Sequence, residues 1–184
     1  MIPLVALSFF HHLLPESGVH QLMAPVKEAL PFPTDPYFCM LIAFFLIYVP
    51  MGIRLMFQFD YSKNPLTMVM WVAGGFLPNT TPRKSIKELT EGSAAMDRLQ
   101  GSHLNQLEGF PLFAAGVLSA MQAGVDPAVV SDYALLYCIA RIGYVIFYNI
   151  SFVNTLGFIR TNFWFACLGI QTKLFLLASA ATRA

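Results

Sequence analysis

Charge is what this chain has least of. Only 11% of its 184 residues are Asp, Glu, Lys or Arg, while 57% are hydrophobic. A soluble domain carries about 25% charged residues, so lipid is the expected main solvent. The formal net charge is +1, which excludes both a basic face for nucleic acid and an acidic tail. Cysteine is scarce too. Cys39, Cys138 and Cys167 each sit in an apolar run, with no CxxC or Cys/His spacing. No zinc, iron–sulfur or other metal site is expected, and the thiols read as small buried hydrophobes. A secretory leader is also poorly represented. The stretch from Met1 to Phe10 is apolar but has no basic start, and it ends in His11-His12. Insertion through the chain's own helices, or through a presequence outside these residues, is the expectation.

What the chain does have is long apolar runs and 17 phenylalanines, suited to lipid-facing and interfacial positions. A hydrocarbon core of ~30 Å takes about 20 apolar residues per helix. Four stretches meet that demand, at about Tyr37–Phe59, Leu104–Ala123, Ala128–Ile150 and Phe158–Ala180. A weaker run, Leu66–Leu77, is interrupted by Gly74-Gly75 and closed by Pro78. It reads as an interfacial or re-entrant piece. The expected fold is therefore all-α: an integral membrane four-helix bundle over residues 37–184, preceded by an N-terminal extension or arm over residues 1–36.

Turn chemistry separates the spans. Asp126-Pro127 is a capping residue followed by proline at the first helical position, and Asp35-Pro36 repeats the device before the first span. Pro50 and Pro111 fall inside spans and should kink them, which a bundle tolerates where neighbours satisfy the freed carbonyls. Lys63, Arg83, Lys84 and Lys87 lie in the long loop after span one, with Arg98 at its end. The positive-inside rule puts loop 60–97 on the cytosolic, matrix or stromal side and both termini on the other.

In this up-down topology Arg54, Arg98, Asn105, Glu108, Arg141, Tyr144, Tyr148 and Arg160 all fall towards the loop side. Every strongly polar group of the bundle is expected in that leaflet, with the other nearly plain hydrocarbon. At ~100° per residue, Arg98, Asn105 and Glu108 share one face of span two. Tyr137, Arg141, Tyr144 and Tyr148 share one face of span three, and His103 points away towards another helix. Ionisable groups inside a membrane are costly to bury, which makes them functional-site candidates. A bare structural seam, Arg141 pairing with Glu108 to lock two helices, is the plainer alternative. Four arginines against one intramembrane glutamate weigh against it, because buried guanidinium groups need anions. An anionic ligand or anionic lipid headgroups would complete the balance.

Arg98-x₄-His-x-Asn105-x₂-Glu108-x₂-Pro111-x-Phe113 resembles the second-helix signature of the MAPEG family (membrane-associated proteins in eicosanoid and glutathione metabolism). Ala140-Arg141-x₂-Tyr144-x₃-Tyr148 resembles its third-helix signature, and Arg160 with Trp164 and Gly169 fits its fourth helix. Asn79-x₂-Pro82-Arg83 resembles a stretch of its largely uncharacterised bacterial branch. The resemblance covers about residues 38–180. It implies a trimer of four-helix bundles that binds glutathione between neighbouring subunits near the cytosolic face and acts, as transferase or peroxidase, on hydrophobic electrophiles, lipid hydroperoxides and epoxides. Carried over by position, Asn105 and Glu108 hold the peptide's polar backbone and amino group. Tyr144 and Tyr148 contact glutathione beside Arg141, Arg160 stabilises the thiolate, and Arg54 contacts substrate or a carboxylate. The well-studied glutathione enzymes have an arginine four residues before the asparagine. This chain has Gly101 there, and the nearest guanidinium is that of Arg98.

Two functions of different class follow. One is a glutathione-dependent enzyme, with Arg160 and Arg141 catalytic and with Arg54, Arg98, Asn105, Glu108, Tyr144 and Tyr148 completing the binding site. The other is a non-catalytic MAPEG-derived subunit of a larger, organellar membrane complex, to which Gly101, the added arm and the aromatic exterior point. The enzyme should be a homotrimer, the subunit part of a heteromeric assembly, and both contact membrane lipid. Pigment or lipid binding through His103 is a weaker third reading, since a lone histidine in a bundle more often bridges helices.

Overall fold

The computed structural model describes residues 15–58, 94–150 and 154–183, the side chains at 55–58 and 154–156 excepted. Over these residues the chain forms five helices, α1 (Glu16–Ala29), α2 (Pro36–Gln58), α3 (Ala94–Gln122), α4 (Pro127–Asn149) and α5 (Asn154–Ala181). Among the described residues there is no strand. The fold is the expected membrane helical bundle. The run Leu66–Leu77, the stretch Asn79–Arg83, nearly all of loop 60–97 and the pair His11-His12 lie outside the described residues.

The caps form as the sequence indicates. The Asp35 carboxylate accepts from the amides of Tyr37 and Phe38, both at 3.1 Å, and Asp126 accepts from Ala128 at 2.9 Å. These bonds satisfy amides that a helix start leaves without an intrahelical acceptor. Gly124 makes the α3–α4 turn with φ +80°, a conformation that glycine adopts without a Cβ clash. The central pair is α3 and α4, each of which packs against the other and against α2 and α5.

Pro50 and Pro111 both lie inside unbroken helices. Proline at 50 deprives the Leu46 carbonyl of its amide partner. Gln106 of α3 supplies a replacement, its Nε2 donating to that carbonyl at 3.4 Å. His103, one turn earlier on the same face, places Nδ1 2.8 Å from the Ile47 carbonyl. That bond accounts for His103, which is 7% exposed. It serves as the helix-to-helix bridge.

Among the described residues, three helical segments are long and apolar enough to cross a membrane: Pro36–Arg54, Pro127–Asn149 and Gly157–Ala181. Helix α3 differs from the expected span. It begins at Ala94 rather than near Leu104 and runs for 29 residues. At 1.5 Å per residue it is roughly 43 Å long, longer than a hydrocarbon core. Apolarity marks only its second half, so hydropathy placed the start too late. Its first turns are polar, and their side chains are held by α2 and α4.

The expectation of a nearly plain hydrocarbon far leaflet is corrected by the structure. Asp132 of α4 and Lys173 of α5 are 2% and 4% exposed at the end of the bundle away from Arg98 and Arg160. Helix α1 brings their partners. Lys27 Nζ lies 2.5 Å and His20 Nδ1 2.8 Å from the Asp132 carboxylate, and Glu16 lies 3.9 Å from Lys173 Nζ. Val19 and Met23 bury the apolar side of α1 in the same place. Both bundle charges sit in apolar sequence. Their stabilising counter-ions come from an arm whose docking no periodicity reveals.

Candidate functional site

The stripe on α4 folds as one continuous unit. Arg141 Nε donates to Tyr137 Oη at 2.9 Å, and its guanidinium carbon lies 5.3 Å from the Tyr137 ring and 5.4 Å from the Tyr144 ring. Tyr144 and Tyr148 pack ring to ring at 5.5 Å. From α5 the Arg160 guanidinium covers the Tyr148 ring at 4.7 Å. Aromatic faces attract guanidinium ions and shield them from hydrocarbon. They offer no hydrogen-bond acceptor to the N–H groups.

Two adjoining cavities open beside this stripe, between α3, α4 and α5. The outer, of about 240 Å³, is lined by Asn105, Tyr144, Tyr148, Arg160, Thr161 and Trp164. The inner, of about 150 Å³, has Asn105, Glu108, Gly109, Arg141, Trp164 and Gln171 in its wall, with Leu112 and Leu168. Asn105 and Trp164 border both. Asn105 is oriented by its own helix, donating from Nδ2 to the Gly101 carbonyl at 2.8 Å. Cations, an acid, an amide and phenols thus meet next to apolar walls. Such a surface suits a dipolar ligand with an apolar co-substrate.

Arg141 is the centre of this arrangement. The residue is 3% exposed, and its Nη1 has no hydrogen-bond partner. Glu108 lines the same cavity, and no ion pair links the two among the described residues. The seam in which Arg141 simply locks onto Glu108 is therefore not what forms. A buried N–H of a cation without an acceptor costs several kcal/mol in apolar surroundings, and it favours an anionic partner.

The structure brings together six of the residues singled out from sequence: Asn105, Glu108, Arg141, Tyr144, Tyr148 and Arg160. Arg54 and Arg98 are outside the walls of these two cavities. Arg54 is 4% exposed and donates from Nη1 to Gln100 Oε1, bridging α2 and α3. Arg98 donates from Nε to the Asn149 carbonyl at 3.1 Å. That carbonyl ends α4, where a cation also complements the helix dipole.

Two glycines let side chains close in on the site. A Cβ at Gly109 would overlap the Arg141 Nη2, and one at Gly101 would overlap the Tyr148 hydroxyl. The space that a side chain at 101 would take therefore belongs to Tyr148. Sequence reasoning missed Gly109, Thr161 and Gln171 as wall residues. Gln171 carried a signal, since it is an amide set in the apolar run of α5.

No curated protein sequence and no solved structure matches this chain. The family model described as the MAPEG family matches residues 37–180, most of the chain and all of the bundle. The chain belongs to the MAPEG family and is a membrane protein of that glutathione- and eicosanoid-metabolism group.

Proposed function

We propose that this protein is a glutathione-dependent transferase or peroxidase acting on lipophilic electrophiles or lipid hydroperoxides. The observation that carries the proposal is the buried Arg141 with its unpartnered Nη1 in the wall of a polar cavity. Glutathione is a dipolar peptide with two carboxylates, one ammonium group and a thiol. The donor set matches it. Arg141 and Arg160 are cationic, Glu108 is anionic, and Asn105, Tyr144 and Tyr148 supply neutral polar groups.

Bound there, glutathione supplies the thiol that reacts with the lipid. Glu108 holds its ammonium group, and Arg141 holds a carboxylate or shares the charge of the sulfur. Arg160, with Tyr148 against it, favours the thiolate by its positive charge, as a neighbouring arginine lowers a thiol pKa. Leu112, Leu168 and Trp164 form the apolar side of the inner cavity, where the lipophilic substrate approaches. In this reading the chain crosses the membrane four times, with loop 60–97 on the cytosolic, matrix or stromal side, and assembles as a homotrimer.

Turnover of a chloronitrobenzene and of a lipid hydroperoxide tests the reading, using protein in detergent with millimolar glutathione. Wild-type protein should convert at least one of them. Arg160→Gln should lower kcat by about a hundredfold to a thousandfold, the range expected for loss of one charge-stabilising donor. No turnover of either compound by the intact protein would sink the enzyme reading.

One observation favours a second reading, a non-catalytic subunit of a heteromeric membrane complex. At position 101 this chain has glycine where the resemblance places an arginine, and the Tyr148 hydroxyl fills the space beside it, so one guanidinium of the glutathione enzymes is missing there. Under that reading gentle-detergent purification recovers the chain in a particle much larger than a trimer. Recovery of only a free homotrimer would oppose it.

A further inference from the structure

Gln171 sits in the driest part of α5. It is 3% exposed, and its neighbours Cys167, Ile170 and Leu174 are 0%, 1% and 0% exposed. A buried amide in such surroundings is retained only if its hydrogen bonds are made. Its Nε2 donates to the Gly109 carbonyl on α3 at 2.9 Å and lies 3.3 Å from Tyr137 Oη on α4. A carbonyl accepts and never donates, so the contact with Gly109 fixes which end of the amide faces inward. One side chain thereby joins three helices beside the inner cavity.

Both of its contacts lead to Arg141. Tyr137 Oη accepts from Arg141 Nε at 2.9 Å. The Tyr137 ring cannot tilt away, because it stacks on Phe113 at 3.8 Å with an interplanar angle of 7°. Gly109 is the residue against which Nη2 lies. A guanidinium is a rigid planar fork, so fixing Nε and one face fixes the direction of Nη1. Arginine otherwise has a flexible stem, and Glu108 lines the same cavity. A guanidinium free to turn would collapse onto that carboxylate and cancel the charge that a ligand needs.

We propose that Gln171 is the positioning residue of the site, holding the Arg141 guanidinium through Tyr137 and the Gly109 carbonyl so that Nη1 stays available to an anionic ligand group. It acts through Arg141 and does not itself touch the reacting atoms. The ligand named in the test rests on the glutathione reading.

The test compares wild type with Gln171→Leu, Tyr137→Phe and the double variant, each in the same detergent. Tyr137→Phe removes one oxygen and keeps the ring stack, so it remains informative if the leucine variant folds poorly. Calorimetry with glutathione should show Kd raised about tenfold in each single variant, which is 1.4 kcal/mol, and no further rise in the double. Residues in contact couple, so losses that add would mean that the two side chains do not act through one chain of bonds to Arg141. Additive losses, or an unchanged Kd in both single variants, overturn the proposal.

A readout without ligand separates it from the glutathione reading. The Arg141 Nε–H signal, assigned by ¹⁵N-arginine labelling and Arg141→Lys, should exchange slowly in wild type and at least tenfold faster in both single variants. Absence of glutathione binding by wild type would end the glutathione reading, while the exchange comparison would still decide the positioning. Equal exchange rates in wild type and both variants overturn it.

Discussion

At the scale of single residues, the site depends on what is small as much as on what is charged. Gly109 matters because Arg141 Nη2 occupies the space of its missing Cβ. Gly109→Ala should therefore push the guanidinium out of place. Overpacking of this kind costs about 1–3 kcal/mol of stability. The glutathione Kd should rise by about tenfold, equivalent to 1.4 kcal/mol, while circular dichroism keeps the helical signal. Unchanged affinity in a folded Gly109→Ala protein would show that the close approach has no bearing on the ligand. Arg141, Tyr144 and Tyr148 were legible as one face because helical spacing aligns them. Gly109 and Gln171 were not, since their role comes from three helices meeting and no single helix carries that information.

At the scale of elements, the sequence read best where one residue acts on its own backbone. Asp35 and Asp126 announced helix starts, and Pro50 announced a kink that a neighbour must repair. The repair itself is Gln106 donating to the Leu46 carbonyl. Gln106→Leu should destabilise the bundle by about 1–3 kcal/mol, the cost of an unsatisfied buried carbonyl. Pro50→Ala returns an amide to that carbonyl. In the Pro50→Ala background the same Gln106→Leu change should cost less than half as much, measured by thermal unfolding in one detergent. Equal losses in the two backgrounds would refute the link between kink and glutamine. The start of α3 was misjudged because a helix held by its neighbours needs no apolar run of its own.

Helix α1 is tied to the bundle through Asp132 and Lys173. His20→Leu with Lys27→Met would leave Asp132, 2% exposed, as an unpaired buried charge. Breaking such a pair costs about 3–5 kcal/mol, so the midpoint of thermal unfolding should fall clearly. Adding Asp132→Asn to the double variant removes the stranded charge and should restore part of the loss. A double variant as stable as wild type would mean that α1 does not clamp the bundle through Asp132.

At the scale of the whole molecule, the two ends of the bundle differ in kind. One end carries charges that α1 meets, Asp132 with Lys27 and with a contact from His20, Lys173 with Glu16. The other end carries Arg141 with an N–H that nothing in the described chain accepts. The all-helical membrane class was readable from composition and period, and helical period put Arg141, Tyr144 and Tyr148 on one face. The paired charges of the far end were not, because hydropathy treats Asp132 and Lys173 as interruptions and says nothing about an arm folding back. The buried Arg141 guanidinium, which has no carboxylate within ion-pair distance among the described residues, is the physical basis of the proposed function. The measurement that tests it most directly is equilibrium titration of the purified protein with glutathione by calorimetry, wild type beside Arg141→Ala. Saturable heat in wild type, lost in Arg141→Ala while the helical signal and unfolding midpoint are retained, is the expected result. No heat in wild type at millimolar glutathione, or identical binding by both proteins, would contradict it.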